Sequence, residues 1–315
     1  MSEENSKNAV VVSVNTSPET GTTKTPVPKI VLNETGIVGD AHAGTWHRQV
    51  SLLATESIDR FGASMNRTFA FGEFAENITT RGIDLLASKI GDRLSVGPAE
   101  LEVTQIGKKC HGGACAIYQQ VGQCVMPREG IFCRVLRGGE IKADDAIHHR
   151  RRILHCRIIT LSDRAYRGEY EDRSGPRVLE FMNTFCETAG WQANILCQVI
   201  PDEAVQLESA LLAAKAAEMD VAITTGGTGI GPRDITPEVV LKMADKTIPG
   251  IMDQVRLACG ERNPNALLSR SVATVMGRTL VYALPGSVKA VDEYMPELLK
   301  TFEHALFMIR GLDTH

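Results

Sequence analysis

The hydrophobic pattern of this 315-residue chain changes its period near residue 153, and this change constrains the fold more than any other feature. Before it, short apolar runs such as 9–15 and 99–106 lie between turns rich in Gly, Pro and Thr, which predicts strands joined by turns. After it, β-branched runs alternate with longer segments of helical period, as in a parallel α/β sheet. The sequence therefore predicts two domains: a β-rich barrel or sandwich at residues 1–150, and a doubly wound, mostly parallel α/β sheet at residues 151–315.

Charge and composition argue against several functional classes. The chain carries 34 Lys and Arg against 38 Asp and Glu, a net charge of −4, and only 5% aromatic residues, which disfavours nucleic-acid binding. It has no apolar run of about 18 residues, so no transmembrane helix is expected. The polar N-terminus does not resemble a signal peptide. We expect a cytoplasmic protein without membrane contact, whose eight cysteines are reduced thiols.

Polar and glycine residues follow three predicted strands of the second half. In a doubly wound sheet, ligands bind beyond the carboxyl ends of the strands. The sequence therefore predicts that these residues form one site. They are Ser162, Asp163, Asp172, Ser174 and Gly175 after the first strand, Asp202 after the second, and Thr225, Gly226, Gly227, Thr228, Gly229, Arg233 and Asp234 after the third.

The glycine-rich loop at residues 225–229 suits a phosphate. Glycines let backbone N–H groups approach an anion closely, and the threonine hydroxyls and Arg233 add donors and a positive charge. The loop has neither the Lys-Ser/Thr ending of a Walker A motif nor dinucleotide-binding spacing. From the residues alone, a phosphate loop and a simple tight turn both remain open.

Two carboxylates at separate strand ends, Asp202 and Asp234, form a candidate magnesium site. Mg²⁺ favours one or two carboxylates together with substrate phosphates. The alternatives are that Asp202 caps a helix beginning at Glu203, and that Asp234 is a turn residue paired with Arg233. Thr236, followed by Pro237, is expected to cap the next helix.

Residues 153–315 closely resemble the molybdopterin adenylyltransferase family. The motifs are TTGGTGIGPRDITPE, LSDRAYRGEYEDRSG, VIPDE, IPGIMDQVR, LLSR and ALPGSVKA. The resemblance implies transfer of AMP from Mg²⁺-ATP to the terminal phosphate of molybdopterin, with release of pyrophosphate. It makes Asp202 and Asp234 the catalytic, metal-linked pair and the glycine-rich loop the pterin-phosphate site. It adds Arg256, Ser269, Arg270, Pro285 and Gly286 to the residues that bind molybdopterin or ATP. Asp253 stands where the family usually has Glu.

Four cysteines of the first half fall within residues 110–133. Their spacing lacks the C-x₂-C element of common zinc sites, which disfavours structural zinc. Cys124 and Cys133 are expected to be small buried hydrophobes, as are Cys156, Cys186, Cys197 and Cys259. Cys110 differs because Lys108, Lys109 and His111 favour its thiolate.

Residues 9–147 resemble a MOSC domain, through GIVGDAHAGTWHRQVSLL, FAENITTRGIDL, IGDRLSVG, GKKCHGGACAI and MPREGIFCRVLRGG. The resemblance implies a β-rich barrel in which Cys110 carries sulfur or binds molybdenum through the cofactor. It also implies that His42, Arg48, Asn77 and Arg134 hold an anionic ligand, although simple loop hydrogen bonding is an equal interpretation for His42.

Both resemblances point to one pathway, and together they imply a bifunctional molybdenum cofactor biosynthesis protein. Its substrates would be molybdopterin and ATP, its partner a downstream molybdenum-insertion protein, and its assembly a trimer of the C-terminal domains. The competing hypothesis is a non-catalytic carrier or scaffold for molybdopterin. The presence of Asp202, Asp234 and the glycine-rich loop favours the enzyme, because a scaffold needs neither aspartate.

Overall fold

The chain forms two compact units in the computed structural model, which describes residues 9–108 and 124–312. The units are Met1–Arg152 and Ile153–His315. Each buries its own hydrophobic core. Within the described ranges, no helix combines the length and the apolar character needed to cross a bilayer.

The first unit is built mainly of strands. Its eight-stranded sheet has the order β11-β7-β8-β9-β5-β6-β1-β2, and a second sheet has the order β10-β3-β4. Buried aliphatic side chains of both sheets form one core. The elements are β1 (Val10–Thr16), β2 (Thr25–Val27), β3 (Lys29–Asn33), β4 (Gly36–Ile37), β5 (Val50–Ala54), α1 (Thr55–Met65), β6 (Ile78–Arg81), a 3₁₀ turn (Leu85–Ala87), β7 (Arg93–Val96), β8 (Ala99–Ile106), α2 (Met126–Glu129), β9 (Ile131–Arg137), β10 (Gly139–Lys142) and β11 (Ile147–Arg150).

The β-rich character of this unit agrees with the sequence, but the expected barrel is not confirmed. In the described residues the large sheet ends at β11 and β2, and these two strands do not pair. The physical reason lies in the pairing of β1. Along Val14–Thr16 this strand pairs with β2, which is only three residues long and forms the edge of the sheet. The segment at residues 144–147 reaches the start of β1 through an isolated bridge from Val10 to Ala146 and through backbone hydrogen bonds to Ala9 and Val11, but β11 itself forms no ladder with β1 or β2 in the described residues. One bridge does not close a continuous ladder.

The second unit is a six-stranded sheet of order β13-β12-β14-β17-β16-β15. The first four strands of that order run parallel; β16 pairs antiparallel with β17, and β15 pairs antiparallel with β16. The elements are β12 (Ile153–Leu161), α3 (Asp163–Tyr166), α4 (Ser174–Ala189), β13 (Gln192–Ile200), α5 (Ala204–Ala216), β14 (Val221–Thr225), α6 (Thr236–Met243), β15 (Lys246–Thr247), α7 (Pro249–Gly260), a 3₁₀ helix (Pro264–Leu268), β16 (Val272–Met276), β17 (Thr279–Leu284) and α8 (Val288–Ile309).

Helices cover both faces of this sheet, so the predicted doubly wound, mostly parallel fold is confirmed. On one face, α5 packs against β12 and α6 packs against β16 and β17, around a shared core that includes Ile159. On the other, α4 packs against α8 through aromatic contacts among Phe185, Trp191 and Phe302. The central strand β14 is buried at every position, which explains its continuous apolar and threonine run.

The chain reverses direction across the sheet between β12 and β14. After β12 it adds β13 on one side, and then crosses back to add β14 on the other. At such a reversal the loops leave in opposite directions and open a crevice beyond the carboxyl ends of the strands. The residues that follow Leu161 and Thr225 therefore lie at the expected ligand position.

Candidate active site

Three strand ends meet at Gly226. Its N–H donates to Leu284 O of β17 at 2.9 Å, and a side chain on it would collide with Leu161 O at the end of β12. A Cβ on Gly286 would lie 3.1 Å from the Cα of Gly226. Because Gly226 also has a φ of +103°, only glycine fits where the three chains come together.

Asp172 ties the start of α4 to the strand ends. Its Oδ1 accepts hydrogen bonds from the N–H of Ser174 at 3.0 Å and of Gly175 at 3.1 Å, and its Oδ2 accepts the Thr160 hydroxyl at 2.7 Å. The Ser174 hydroxyl in turn contacts the Thr225 hydroxyl at 2.9 Å. The polar groups of these five residues thus hydrogen-bond to one another. The bonds hold the start of α4 against the ends of β12 and β14.

The glycine-rich loop is anchored at Gly227. Gly227 has a φ of +64° and accepts the N–H of Thr236 at 3.0 Å. The Thr236 hydroxyl donates to Gly226 O at 2.9 Å. Thr236 is the first residue of α6 rather than its cap, since the helix is preceded by Ile235 without a side-chain cap. The hydroxyl therefore stabilises the loop instead of the helix terminus.

Arg270 is the main brace of the loop. Its N–H donates to Thr228 O at 2.9 Å, its Nε to Gly229 O at 2.7 Å and its Nη2 to Asp234 O at 2.7 Å. It also pairs with Glu238. Its guanidinium is thus committed to positioning the loop.

The other predicted polar residues on this side form a second brace. The Ser269 hydroxyl contacts those of Thr228 at 3.4 Å and Ser271 at 2.7 Å. Arg256 donates to Ser271 O at 2.8 Å and pairs with Asp253 at 2.6 Å.

Asp202 and Asp163 join the ends of β12 and β13 by reciprocal hydrogen bonds. The N–H of Asp163 donates to Asp202 Oδ2 at 2.9 Å, and the N–H of Asp202 donates to Asp163 Oδ1 at 3.1 Å. Arg233 pairs with Asp163 Oδ2. The backbone bond from Asp202, together with the Arg233 charge, lowers the pKa of Asp163. Ser162 caps the short α3 by accepting the N–H of Ala165 at 3.2 Å.

These contacts decide between the alternatives for the two aspartates. Asp202 does not cap α5, which begins at Ala204 and has no side-chain cap. Asp234 Oδ2 does accept the N–H of Gly231 at 2.8 Å, so the turn role is correct. Arg233, however, pairs with Asp163 and not with Asp234.

The donor set fits Mg²⁺. Within residues 9–108 and 124–312, no hydrogen bond or ion pair reaches Oδ1 of Asp202 or of Asp234. Among the described residues, each carboxylate thus has one oxygen without a hydrogen-bond donor and no basic side chain paired with it. Mg²⁺ takes one or two carboxylates and completes its shell with other oxygens, so carboxylates of this kind are suitable ligands.

A cavity of about 180 Å³ opens beside the loop between the 3₁₀ helix and the start of α8. Ser269 and Pro285 line it, as predicted, and Gly286 follows directly. Sequence reasoning missed its other lining residues because they come from two separate segments, each with an ordinary local role such as the caps at Asn263 and Ser287. The missed residues are Asn263, Asn265, Ala266, Ser287, Lys289, Ala290, Glu293 and Tyr294.

In the first unit, the buried Asp40 gathers two of the predicted ligand residues. Its carboxylate accepts the N–H of His42 at 2.9 Å and the Asn77 amide at 3.0 Å, and pairs with the buried Lys24. Burial alone would raise the pKa of Asp40, but hydrogen bonds from His42 and Lys24 outweigh it and hold that pKa far below its usual range. Asp40 and Lys24 were not predicted, because nothing local marks two residues 16 positions apart as partners.

The predicted anion-binding set is not assembled as one cluster by the described contacts. Asn77 is buried and its amide oxygen accepts the Ser51 N–H at 3.1 Å, so its side chain is structural. Arg134 donates to the buried Glu102 at 2.6 Å. Arg48 lies 4.8 Å from the ring centre of Trp46. Cys110 lies outside the described residues.

The remaining cysteines mostly match the expectation of buried hydrophobes. Cys133, Cys156, Cys186 and Cys259 are buried, and burial raises the pKa of the Cys133 thiol. Cys124 is half-buried. Cys197 is exposed, because β13 is an edge strand that is largely open to solvent.

Two family models match the chain. One is described as a probable molybdopterin binding domain and covers residues 157–304, and the other is a MOSC domain at residues 39–148. A molybdopterin adenylyltransferase of Helicobacter pylori is 30% identical over 159 residues, which are 50% of this chain and 89% of that protein. The Escherichia coli molybdopterin adenylyltransferase is 33% identical over 141 residues, 44% of this chain and 71% of that protein.

A longer relative also matches. The molybdenum cofactor biosynthesis bifunctional protein of Synechococcus elongatus is 35% identical over 156 residues, 50% of this chain and 47% of that protein. The match to the gephyrin of Dictyostelium discoideum covers only 22% of that protein. The chain thus spans less than half the length of these two relatives.

Proposed function

The chain belongs to the molybdopterin-binding domain family that includes the molybdopterin adenylyltransferases, and on that premise we propose that its second unit transfers AMP from ATP to molybdopterin. The reaction joins the α-phosphorus of ATP to a terminal phosphate oxygen of molybdopterin. It breaks the bond between the α- and β-phosphates and releases pyrophosphate. The site at the ends of β12, β13 and β14 supports this assignment.

One observation carries the proposal: a glycine-rich loop held by protein contacts follows β14 at the same edge of the sheet as two carboxylates, each with one oxygen that receives no hydrogen bond from the described residues. The loop is held by Arg270 and Thr236, so its shape does not depend on a ligand. Asp202 and Asp163 are joined directly, and Arg233, next to Asp234, reaches Asp163. Asp202 is thus connected through Asp163 and Arg233 to Asp234, whose carboxylate contacts the segment after the glycine-rich loop.

The arrangement suits nucleotidyl transfer because that chemistry needs positioning and charge neutralisation more than covalent help. The attacking phosphate oxygen is already an anion, so no general base is required. Mg²⁺, held by Asp202 and Asp234, would neutralise charge on the ATP phosphates. The loop would hold the molybdopterin phosphate, and the 180 Å³ cavity beside it would receive part of the organic ligand.

Incubation of the full chain with molybdopterin, ATP and Mg²⁺ tests the proposal. We expect pyrophosphate and adenylylated pterin in equal amounts, and neither product when Mg²⁺ is removed by chelation. The carrier or scaffold hypothesis predicts stoichiometric molybdopterin binding with no pyrophosphate. That result would replace the enzymatic assignment.

For the first unit we propose that Cys110 binds the cofactor by carrying sulfur or by ligating molybdenum. Support comes from the matching MOSC model and from Lys108, Lys109 and His111, whose charges favour a thiolate. His42 and Arg48 remain candidates for contacts to an anionic ligand. The described side chains of Asn77 and Arg134 already have protein partners, so a role for them at this site is indirect.

We expect Cys110→Ser to remove sulfur or molybdenum retention while AMP transfer changes by less than about twofold. Serine keeps the size but is not a soft ligand, and every described contact of the proposed transferase site comes from the second unit. Both assays are run on one full-length variant, with Cys115→Ser as the matched control. Wild-type retention of sulfur and metal by the Cys110 variant, or their loss in the control, would assign the role elsewhere.

We further propose a trimer of the second units, a molybdenum-insertion protein as the recipient of the product, and a cytoplasmic location. These stay predictions from the sequence resemblance.

A further inference from the structure

We propose that Asp163 is not a ligand contact but a positioning residue, which braces Asp202 with one carboxylate oxygen and holds Arg233 with the other until an anion arrives. The expected effects on kcat rest on the proposed function. The contacts of Asp163 and the phosphate-binding and exchange experiments do not depend on turnover.

The first half of the role is a brace between two strands. Asp163 and Asp202 follow β12 and β13, and each donates its N–H to the carboxylate of the other, at 2.9 and 3.1 Å. A pair of reciprocal bonds fixes both the backbone position and the side-chain orientation of Asp202. Asp163 Oδ1 therefore fixes the backbone of Asp202, and the Asp163 N–H fixes the carboxylate of Asp202 through its Oδ2.

The second half is a resting contact for Arg233. This arginine lies in the exposed segment that follows the glycine-rich loop, and 62% of its side chain is accessible, against 27% for Asp163. Its guanidinium donates to Asp163 Oδ2. An exposed ion pair of this kind contributes little stability, so an incoming phosphate can take over the arginine.

The two roles use different oxygens and can be separated. Asp163→Asn keeps an acceptor for the Asp202 N–H but places an amide beside Arg233, which loses its charged partner. Asp163→Ala removes both contacts. The asparagine variant therefore tests the contact with Arg233, and the comparison of alanine with asparagine tests the brace.

Inorganic phosphate is the probe for the resting contact, measured by calorimetric titration of the full chain. We expect Asp163→Asn to raise phosphate affinity by about threefold, because no ion pair must then be broken. In an Arg233→Gln background, Asp163→Asn should raise phosphate affinity by less than about 1.3-fold, because this background has no arginine for the substitution to release. Glu169→Gln is the matched control: it removes a neighbouring negative charge that pairs with Arg167 instead, and should change affinity by less than about 1.5-fold.

Hydrogen exchange at the Asp202 amide is the probe for the brace. Protection should fall at least about tenfold in Asp163→Ala and remain in Asp163→Asn, because only the alanine lacks an acceptor. In turnover assays, kcat should fall further in the alanine than in the asparagine variant. If the alanine variant does not fold, the asparagine variant in the two Arg233 backgrounds still decides the resting contact.

Equal gains in phosphate affinity with and without Arg233 would overturn the resting contact. Unchanged Asp202 protection in the folded alanine variant would overturn the brace. A wild-type protein that binds phosphate as described but forms no adenylylated pterin would overturn the proposed reaction and leave the role of Asp163 standing.

Discussion

Asp234→Asn is expected to lower the rate of AMP transfer by at least ~100-fold while molybdopterin affinity changes by less than about threefold. Asp234 Oδ2 accepts the N–H of Gly231 at 2.8 Å, and an asparagine can present its amide oxygen to the same donor. The loop therefore keeps its shape. What is lost is the negative charge on the free oxygen that would hold Mg²⁺.

Turnover and equilibrium binding of molybdopterin, measured on the same preparation, check this division of labour. Asp292→Asn is a suitable control, because it removes an exposed carboxylate that pairs with Arg177 on the surface of the same unit. A parallel loss of affinity and turnover in Asp234→Asn would show that this carboxylate shapes the phosphate site instead of serving the reaction.

Gly227→Val should weaken molybdopterin binding at least ~10-fold at every Mg²⁺ concentration. Gly227 has a φ of +64°, and its Cβ would lie 2.5 Å from the Thr236 hydroxyl that holds the loop. A β-branched residue there strains the backbone by about 1–3 kcal/mol and must also push Thr236 away. The loss thus comes from displacing the loop. A direct block of the phosphate, which the sequence alone suggests, is not needed.

Gly311→Val is the matched control for this change. Gly311 also has a positive φ, +68°, but a Cβ there meets nothing within 4 Å. The control should lose some thermal stability and keep full molybdopterin affinity, as seen by denaturation and titration. Normal affinity in a folded Gly227→Val protein would reduce the loop to an ordinary turn.

The second unit was predictable because its signals are local. Alternating strand and helix periods follow from the geometry of single elements, and glycines with positive φ mark the points where backbones meet. Even so, one local role was misjudged: Thr236 was expected to cap α6 but stabilises Gly226. Arg270 braces the loop, and its contact to a ligand stays a prediction.

The first unit was less predictable. Its strand content follows from short apolar runs and turns. Whether the large sheet closes into a barrel depends on which edge strands pair, and such pairing joins residues far apart in the sequence. The buried Asp40 and Lys24 show the same limit, because a charge pair inside a core is visible only once the surrounding strands are in place.

By itself, then, the sequence determined the two-domain division, the doubly wound sheet and the short list of residues at its strand ends, since periodicity, glycine conformation and strand order are set by neighbours along the chain. Only the tertiary structure decided which of their polar atoms have protein partners. No hydrogen bond from a described residue reaches Oδ1 of Asp202 or of Asp234, whereas Asp163, Asp172 and Arg270 use their polar atoms on the protein. A hydrogen bond forms between whichever groups the fold brings within about 3 Å, and that distance is set by the packing of strands far apart in sequence.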